Sequence, residues 1–171
     1  MVHCDPRLCV GCRRCEVACA DFHFGAVSPI LSRIRVAKLE EIGIDMSVAC
    51  VSCVEKSCLI CPRDALSAGE NGTIVLEADQ CDGCEVCFDA CPIGAVGFHD
   101  DLPLFCDLCD GELSCVIACP SGALSSREES DTSLRTYEHS KGSSGQRRAV
   151  YARAESEDLR TEWLGGRRVD S

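Results

Sequence analysis

Sixteen of the seventeen cysteines in this chain of 171 residues fall into four quartets. Cys9, Cys12, Cys15 and Cys19 are spaced C-x2-C-x2-C-x3-C. Cys50, Cys53, Cys58 and Cys61 are spaced C-x2-C-x4-C-x2-C-P. Cys81, Cys84, Cys87 and Cys91 repeat the first spacing and add a proline, and Cys106, Cys109, Cys115 and Cys119 are spaced C-x2-C-x5-C-x3-C-P. Cys4 is left over. The repeat runs past the cysteines, because Cys61-Pro62-Arg63-Asp64-Ala65-Leu66 echoes Cys91-Pro92-Ile93-Gly94-Ala95-Val96 and Cys119-Pro120-Ser121-Gly122-Ala123-Leu124. Aromatic residues make up only 5% of the chain, so the core is modest and something besides apolar burial must hold the fold together.

Cysteines can do this as disulfides, zinc sites or iron–sulfur ligands. Met1-Val2-His3-Cys4-Asp5-Pro6 has neither the basic nor the apolar region of a secretory signal, and no run reaches the roughly 18 apolar residues of a membrane span. A cytoplasmic, cysteine-rich chain with an odd thiol is expected to bind metal rather than form disulfides. The net charge is −11, with nineteen acidic and eight basic side chains before residue 127 and nine of each after it. That acidic body repels phosphate backbones, so nucleic acid is excluded as a partner. An acidic surface suits an electron carrier that meets basic partners, and equally a surface that is merely solvated.

The spacing discriminates between metals. Structural zinc uses two C-x2-C pairs separated by a longer stretch. Three thiols within seven residues, then C-x3-C-P, is the bacterial ferredoxin signature for [4Fe–4S] clusters, in which the fourth cysteine serves the other cluster of a pair. Gly11 and Gly83 allow close backbone approach to a cluster, or make an ordinary turn. Pro62, Pro92 and Pro120 restrict the cysteine before them to extended backbone. Val17, Ala18, Ala90, Ile117 and Ala118 are expected inside the loops, shielding clusters or simply filling core.

These motifs resemble the four-cluster, ferredoxin-like electron-transfer subunits of anaerobic oxidoreductase complexes. Such subunits accompany molybdenum or tungsten enzymes, nickel carbon monoxide dehydrogenases and some hydrogenases. Cys9 to Cys19, Phe22-His23-Phe24-Gly25 and Ser32-Arg33-Ile34-Arg35-Val36 look closest to the branch serving tungsten aldehyde oxidoreductases and benzoyl-CoA reductases. The likeness covers residues 3 to 125. It implies that Cys9, Cys12, Cys15 and Cys119 hold one cluster, and Cys106, Cys109, Cys115 and Cys19 its partner. The inner pair would use Cys50, Cys53, Cys58 with Cys91, and Cys81, Cys84, Cys87 with Cys61. Only Leu59 and Ile60 separate Cys58 from Cys61, one residue fewer than the family spacing, which leaves three clusters as the alternative to four.

The expected class is α+β, ferredoxin-like, with two nested bicluster units and much irregular loop. Residues 1–44 and 101–125 form the outer unit, residues 45–100 the inner one, and residues 126–171 a polar tail, flexible or wrapped around a partner. Arg33 to Leu39 alternates as a half-buried strand, Gly72 to Leu76 reads as a second, and Val96-Gly97-Phe98 is the candidate to pair with it. Short helices are expected within the quartets. Ser125 to Gln146 reads as a linker, and Ala149 to Leu164 as helix-forming with no shared apolar face, stopping at Gly165-Gly166, with Trp163 a candidate partner anchor. His3, His23, His99 and His139 show no metal-ligand spacing to one another, and His23 is expected at the surface. Cys4 is expected to be a non-ligand thiol.

No nucleotide loop, Ser/His/Asp arrangement or acid–base carboxylate pair is present, so catalysis by this chain alone is disfavoured. The expected role is an electron-transfer subunit between a larger catalytic oxidoreductase subunit, of molybdenum or tungsten type, and ferredoxin or another carrier. A free polyferredoxin and a non-redox protein with structural zinc or clusters are the alternatives.

Overall fold

Residues 2–4 and 124–126 pair as strands, so the two flanks of the cysteine-bearing region meet. The computed structural model describes residues 1–127, 132–137, 140–159 and 162. Strand β1 (Val2–Cys4) runs antiparallel to β8 (Leu124–Ser126), with His3 opposite Ser125. Between them lie three antiparallel hairpins: β2 (Arg35–Leu39) with β3 (Ile44–Val48), β4 (Leu66–Ala68) with β5 (Ile74–Leu76), and β6 (Gly97–His99) with β7 (Leu102–Leu104). The helices are α1 (Arg14–Phe24), α2 (Val86–Ala90), α3 (Ser114–Ile117) and α4 (Ser144–Glu155). This is a small mixed helix–strand architecture.

The alternation from Arg33 onward does form a strand, and Ala37 and Leu39 turn inward against Ile44, Met46 and Val48 of β3. Residues 74–76 form the second strand, but its partner differs from expectation. Val96-Gly97-Phe98 does not reach it. Asp100 and Asp101 both take positive φ (48° and 60°), closing a two-residue turn that pairs β6 with β7 instead. Local closure of this kind needs no long loop, so it wins over a pairing across the third quartet.

Helix α4 begins with a capping box. The Ser143 hydroxyl accepts from the Gln146 N–H (3.3 Å), and the Gln146 side chain accepts from the Ser143 N–H (2.8 Å). The helix therefore starts before Ala149, within the stretch whose composition resembles a linker. It packs against β2 and β3 and buries Arg147, Tyr151 and Ala152. Leu134 and Leu159 are buried beside it, while Val150 is exposed. The Tyr137 and Tyr151 rings meet edge to face at 5.3 Å. Trp163, His139 and Gly165-Gly166 lie outside the described residues.

Candidate metal centres

All four quartets share one backbone design. The residue before the second cysteine is left-handed in each: Gly11 (φ 61°), Ser52 (49°), Gly83 (71°) and Leu108 (63°). A second left-handed residue stands two positions before the third cysteine: Arg13 (60°), Lys56 (43°), Glu85 (61°) and Leu113 (53°). That residue caps a helix or 3-10 turn of which the third cysteine is the second residue, namely Cys15 in α1, Cys58 in the turn Ser57–Leu59, Cys87 in α2 and Cys115 in α3. Turns of alternating hand direct successive N–H groups into one concavity, the backbone arrangement used for anionic sulfur cores. Gly11 has a further reason to be glycine, since a Cβ there would stand 3.0 Å from Asp45 Cβ.

Three cavities then gather cysteines across quartets. Cys50, Cys53 and Cys58 share one with Cys91, walled by Val51, Ile93 and Phe105 and bordered by Cys106. Cys81, Cys84 and Cys87 share a second with Cys61. Cys106, Cys109 and Cys115 share a third with Cys19. Cys61 thus faces the third quartet despite its shortened spacing. In the first quartet, Cys9 and Cys15 stand 3.8 and 3.4 Å from the Ser47 hydroxyl, Cys12 is exposed, and Cys119 lies 3.7 Å from the Ser121 hydroxyl. Ile117, expected inside its loop, is 78% exposed. It sits on the outer side of α3, opposite the buried Cys115.

The separation of the sulfurs tests which group fits. A tetrahedral zinc with Zn–S bonds of about 2.3 Å needs sulfurs about 3.8 Å apart. Among the described residues, the trio of potential ligand atoms lying within 4.8 Å of one another is His23, Asp107 and Cys109, and no trio consists of cysteine sulfurs. All seventeen cysteines are free thiols. The quartets are too open for single zinc ions and suit a polynuclear core.

Polar groups bracket the sulfurs. The Arg33 N–H donates to Cys19 Sγ (3.3 Å) and the Ala95 N–H to Cys91 Sγ (3.2 Å). Asp107 accepts from His23 Nε2 (2.9 Å), from the Cys109 N–H (3.0 Å) and from the Arg33 guanidinium. His23 Nδ1 lies 2.7 Å from the Cys19 carbonyl oxygen, and its side chain is only 7% exposed, so it is a buried network member and not the surface histidine expected. Burial raises the Asp107 carboxyl, but Arg33 and the Cys109 N–H outweigh it and hold the group below its usual range. Cys4 was not legible as part of any site, yet it is buried against Cys9 and accepts from the Ser47 N–H (3.4 Å). Its hydrogen bond to Cys9 pushes Cys4 up and draws Cys9 down to about 6. Burial pushes Cys50 up to about 11, Cys58 and Cys106 to about 12, and Cys87 to about 11. Ligation needs thiolates, so loading metal here releases protons.

No protein-family model matches the chain. YsaA of Escherichia coli, named as an electron transport protein, is 44% identical over 100 residues, covering 54% of this chain and 62% of YsaA. The formate dehydrogenase iron–sulfur subunit of Wolinella succinogenes is 35% identical over 101 residues, covering 56% of this chain and 50% of that subunit. The chain therefore spans between 50% and 62% of the length of these curated relatives. Among solved structures, the active-site complex BamBC of benzoyl-CoA reductase aligns at 32% identity, 80% of this chain, 82% of that one and a TM-score of 0.45, an overlap too loose to bear on the fold. The relatives are electron-transport and iron–sulfur subunits of oxidoreductases, and not catalytic subunits. Among the described residues, no helix is long and apolar enough to cross a membrane.

Proposed function

We propose that this chain, a homologue of iron–sulfur electron-transport subunits, is itself the electron-transfer component of an oxidoreductase complex and carries four [4Fe–4S] clusters. The observation that carries this reading is the three cavities that each combine three thiols of one quartet with the last thiol of another. Cys50, Cys53, Cys58 and Cys91 would hold one cluster, Cys81, Cys84, Cys87 and Cys61 the next, and Cys106, Cys109, Cys115 and Cys19 the third. By the symmetry of the repeat, and with α1 packed on α3, Cys9, Cys12, Cys15 and Cys119 would hold the fourth. The fold is then two nested ferredoxin-like units, residues 1–44 with 101–125 around residues 45–100.

When bound, such clusters supply one-electron transfer. The chain's own residues hold the thiolates, aim backbone N–H groups at sulfur and exclude water with Ile93, Val51 and Phe105. Cys106 at the border of the Cys50 cavity joins the outer and inner sites into one path. Val10 and Ile117, exposed within the first and fourth loops, offer apolar contact to a partner. The partner is a larger catalytic subunit of molybdenum or tungsten type, with ferredoxin or another carrier at the far end, in the cytoplasm where thiols stay reduced.

The test is iron and sulfide per chain in anaerobic protein, with EPR of the dithionite-reduced state. About sixteen irons and spin-coupled [4Fe–4S] signals are expected. About twelve irons would reduce the count to three clusters. Zinc without iron would overturn the electron-transfer reading.

A further inference from the structure

Helix α4 brings two arginines to the inner centre. Arg147 is 5% exposed, donates to the carbonyl oxygens of Phe88 and Gly142 (both 3.0 Å), and lies 5.8 Å over the Phe88 ring. The carboxylate it meets, Asp89, stands 3.8 Å away with a side chain 74% exposed, so water screens that charge. Arg147 Nε is buried without a partner among the described residues. Arg148 Nη1 donates to the Gly94 carbonyl oxygen (2.6 Å), within the turn that follows Cys91. Arg35 and Arg147 repel Arg148, while Glu16 and Cys91 attract it. Three guanidinium groups thus share a half-buried region with one buried carboxylate, and Glu16 Oε1 already accepts the Val36 N–H (2.7 Å).

A buried cation without a matched anion is expensive. The chain carries a net charge of −11, so bringing positive charges together here is not a matter of overall composition. A [4Fe–4S] core of charge +2 on four thiolates is a dianion, and it would supply the missing counter-charge at Cys91.

We infer that helix α4 is a potential-setting strap: Arg147 and Arg148 are counter-charges for the centre held by Cys50, Cys53, Cys58 and Cys91, and they raise its reduction potential. Adding an electron makes that centre more negative, and a fixed positive charge in a low-dielectric setting favours the reduced form. The inference rests on the iron–sulfur reading above.

The experiment is an EPR-monitored redox titration of the anaerobic full-length chain, with the centre identified by the signal that changes in Cys58→Ser. Arg148→Gln is expected to lower that centre's reduction equilibrium about tenfold, equivalent to about 59 mV for one electron, and to leave the other centres in place. Arg148→Lys restores most of the shift, because charge and not fork geometry is at work. Gln146→Glu keeps the capping box, adds a negative charge beside both arginines, and at low ionic strength shifts the same centre downward by less. Unchanged potential in Arg148→Gln, or an equal drop in Arg148→Lys, overturns the inference. Should Arg148→Gln lose its iron, absence of a shift in Gln146→Glu overturns it alone. Failure of the wild-type chain to load iron overturns the cluster reading instead.

Discussion

Replacing Gly94 by alanine should undock helix α4, while the same change at Gly122 should not. Both glycines occupy the fourth position of a Cys-Pro turn, where the backbone is left-handed: φ is 60° at Gly94 and 67° at Gly122. In the remaining repeat Asp64 takes the same conformation (φ 53°), so the turn itself accepts a side chain. A Cβ in this conformation costs about 1–2 kcal/mol at either site. Nothing lies within 4 Å of a Cβ at Gly122, whereas at Gly94 it would stand 2.9 Å from the carbonyl carbon of Ser144 and 3.0 Å from its Cα. Those are backbone atoms at the first turn of the helix, so no side-chain rotation relieves the contact and the helix must withdraw. Withdrawal breaks the bonds from Arg148 to Gly94 and from Arg147 to Phe88. Hydrogen bonds to charged groups contribute about 1.5–3 kcal/mol each, and the lower figure for both gives about 3 kcal/mol. Amide exchange over residues 144–155 should then accelerate about 100-fold in Gly94→Ala. Anaerobic hydrogen-exchange mass spectrometry reads this directly. Equal protection of α4 in the two variants would refute the packing argument.

Two further outcomes test the centres. Asp107→Ala removes the acceptor shared by His23, Arg33 and the Cys109 N–H, so iron release from the Cys19, Cys106, Cys109 and Cys115 site to a chelator should quicken by about 10–100-fold. An unchanged release rate would show that the network does not support that site. Stripping all iron should collapse most of the far-UV circular dichroism, because α2 and α3 have only five and four residues and cannot persist alone. A near-native spectrum after removal would mean that the apolar core suffices.

Much of the site is local in the chain and therefore legible. Spacing within a quartet determines which thiols can reach one metal core, since C-x2-C-x2-C leaves little backbone freedom between sulfurs. The left-handed positions at Gly11 and Gly83 could be guessed from glycine, but Ser52 and Leu108 carry no such signal. There the cysteine loop imposes a conformation that the residue type disfavours. His23 looked ordinary because its partners, Asp107 and Arg33, come from distant parts of the chain.

The amino-acid sequence by itself determined the ligand chemistry, the four repeats and an alternating strand near residues 35–39, all consequences of contacts between near neighbours. Only the tertiary structure decided that Cys91 stands with Cys50, Cys53 and Cys58, that Cys61 still reaches the third quartet, that residues 97–99 pair with 102–104, and that Arg147 and Arg148 return to the inner site. Those depend on where separate segments meet, and helix α4 meets the body through buried arginines, which leave no apolar stripe in the sequence to announce it.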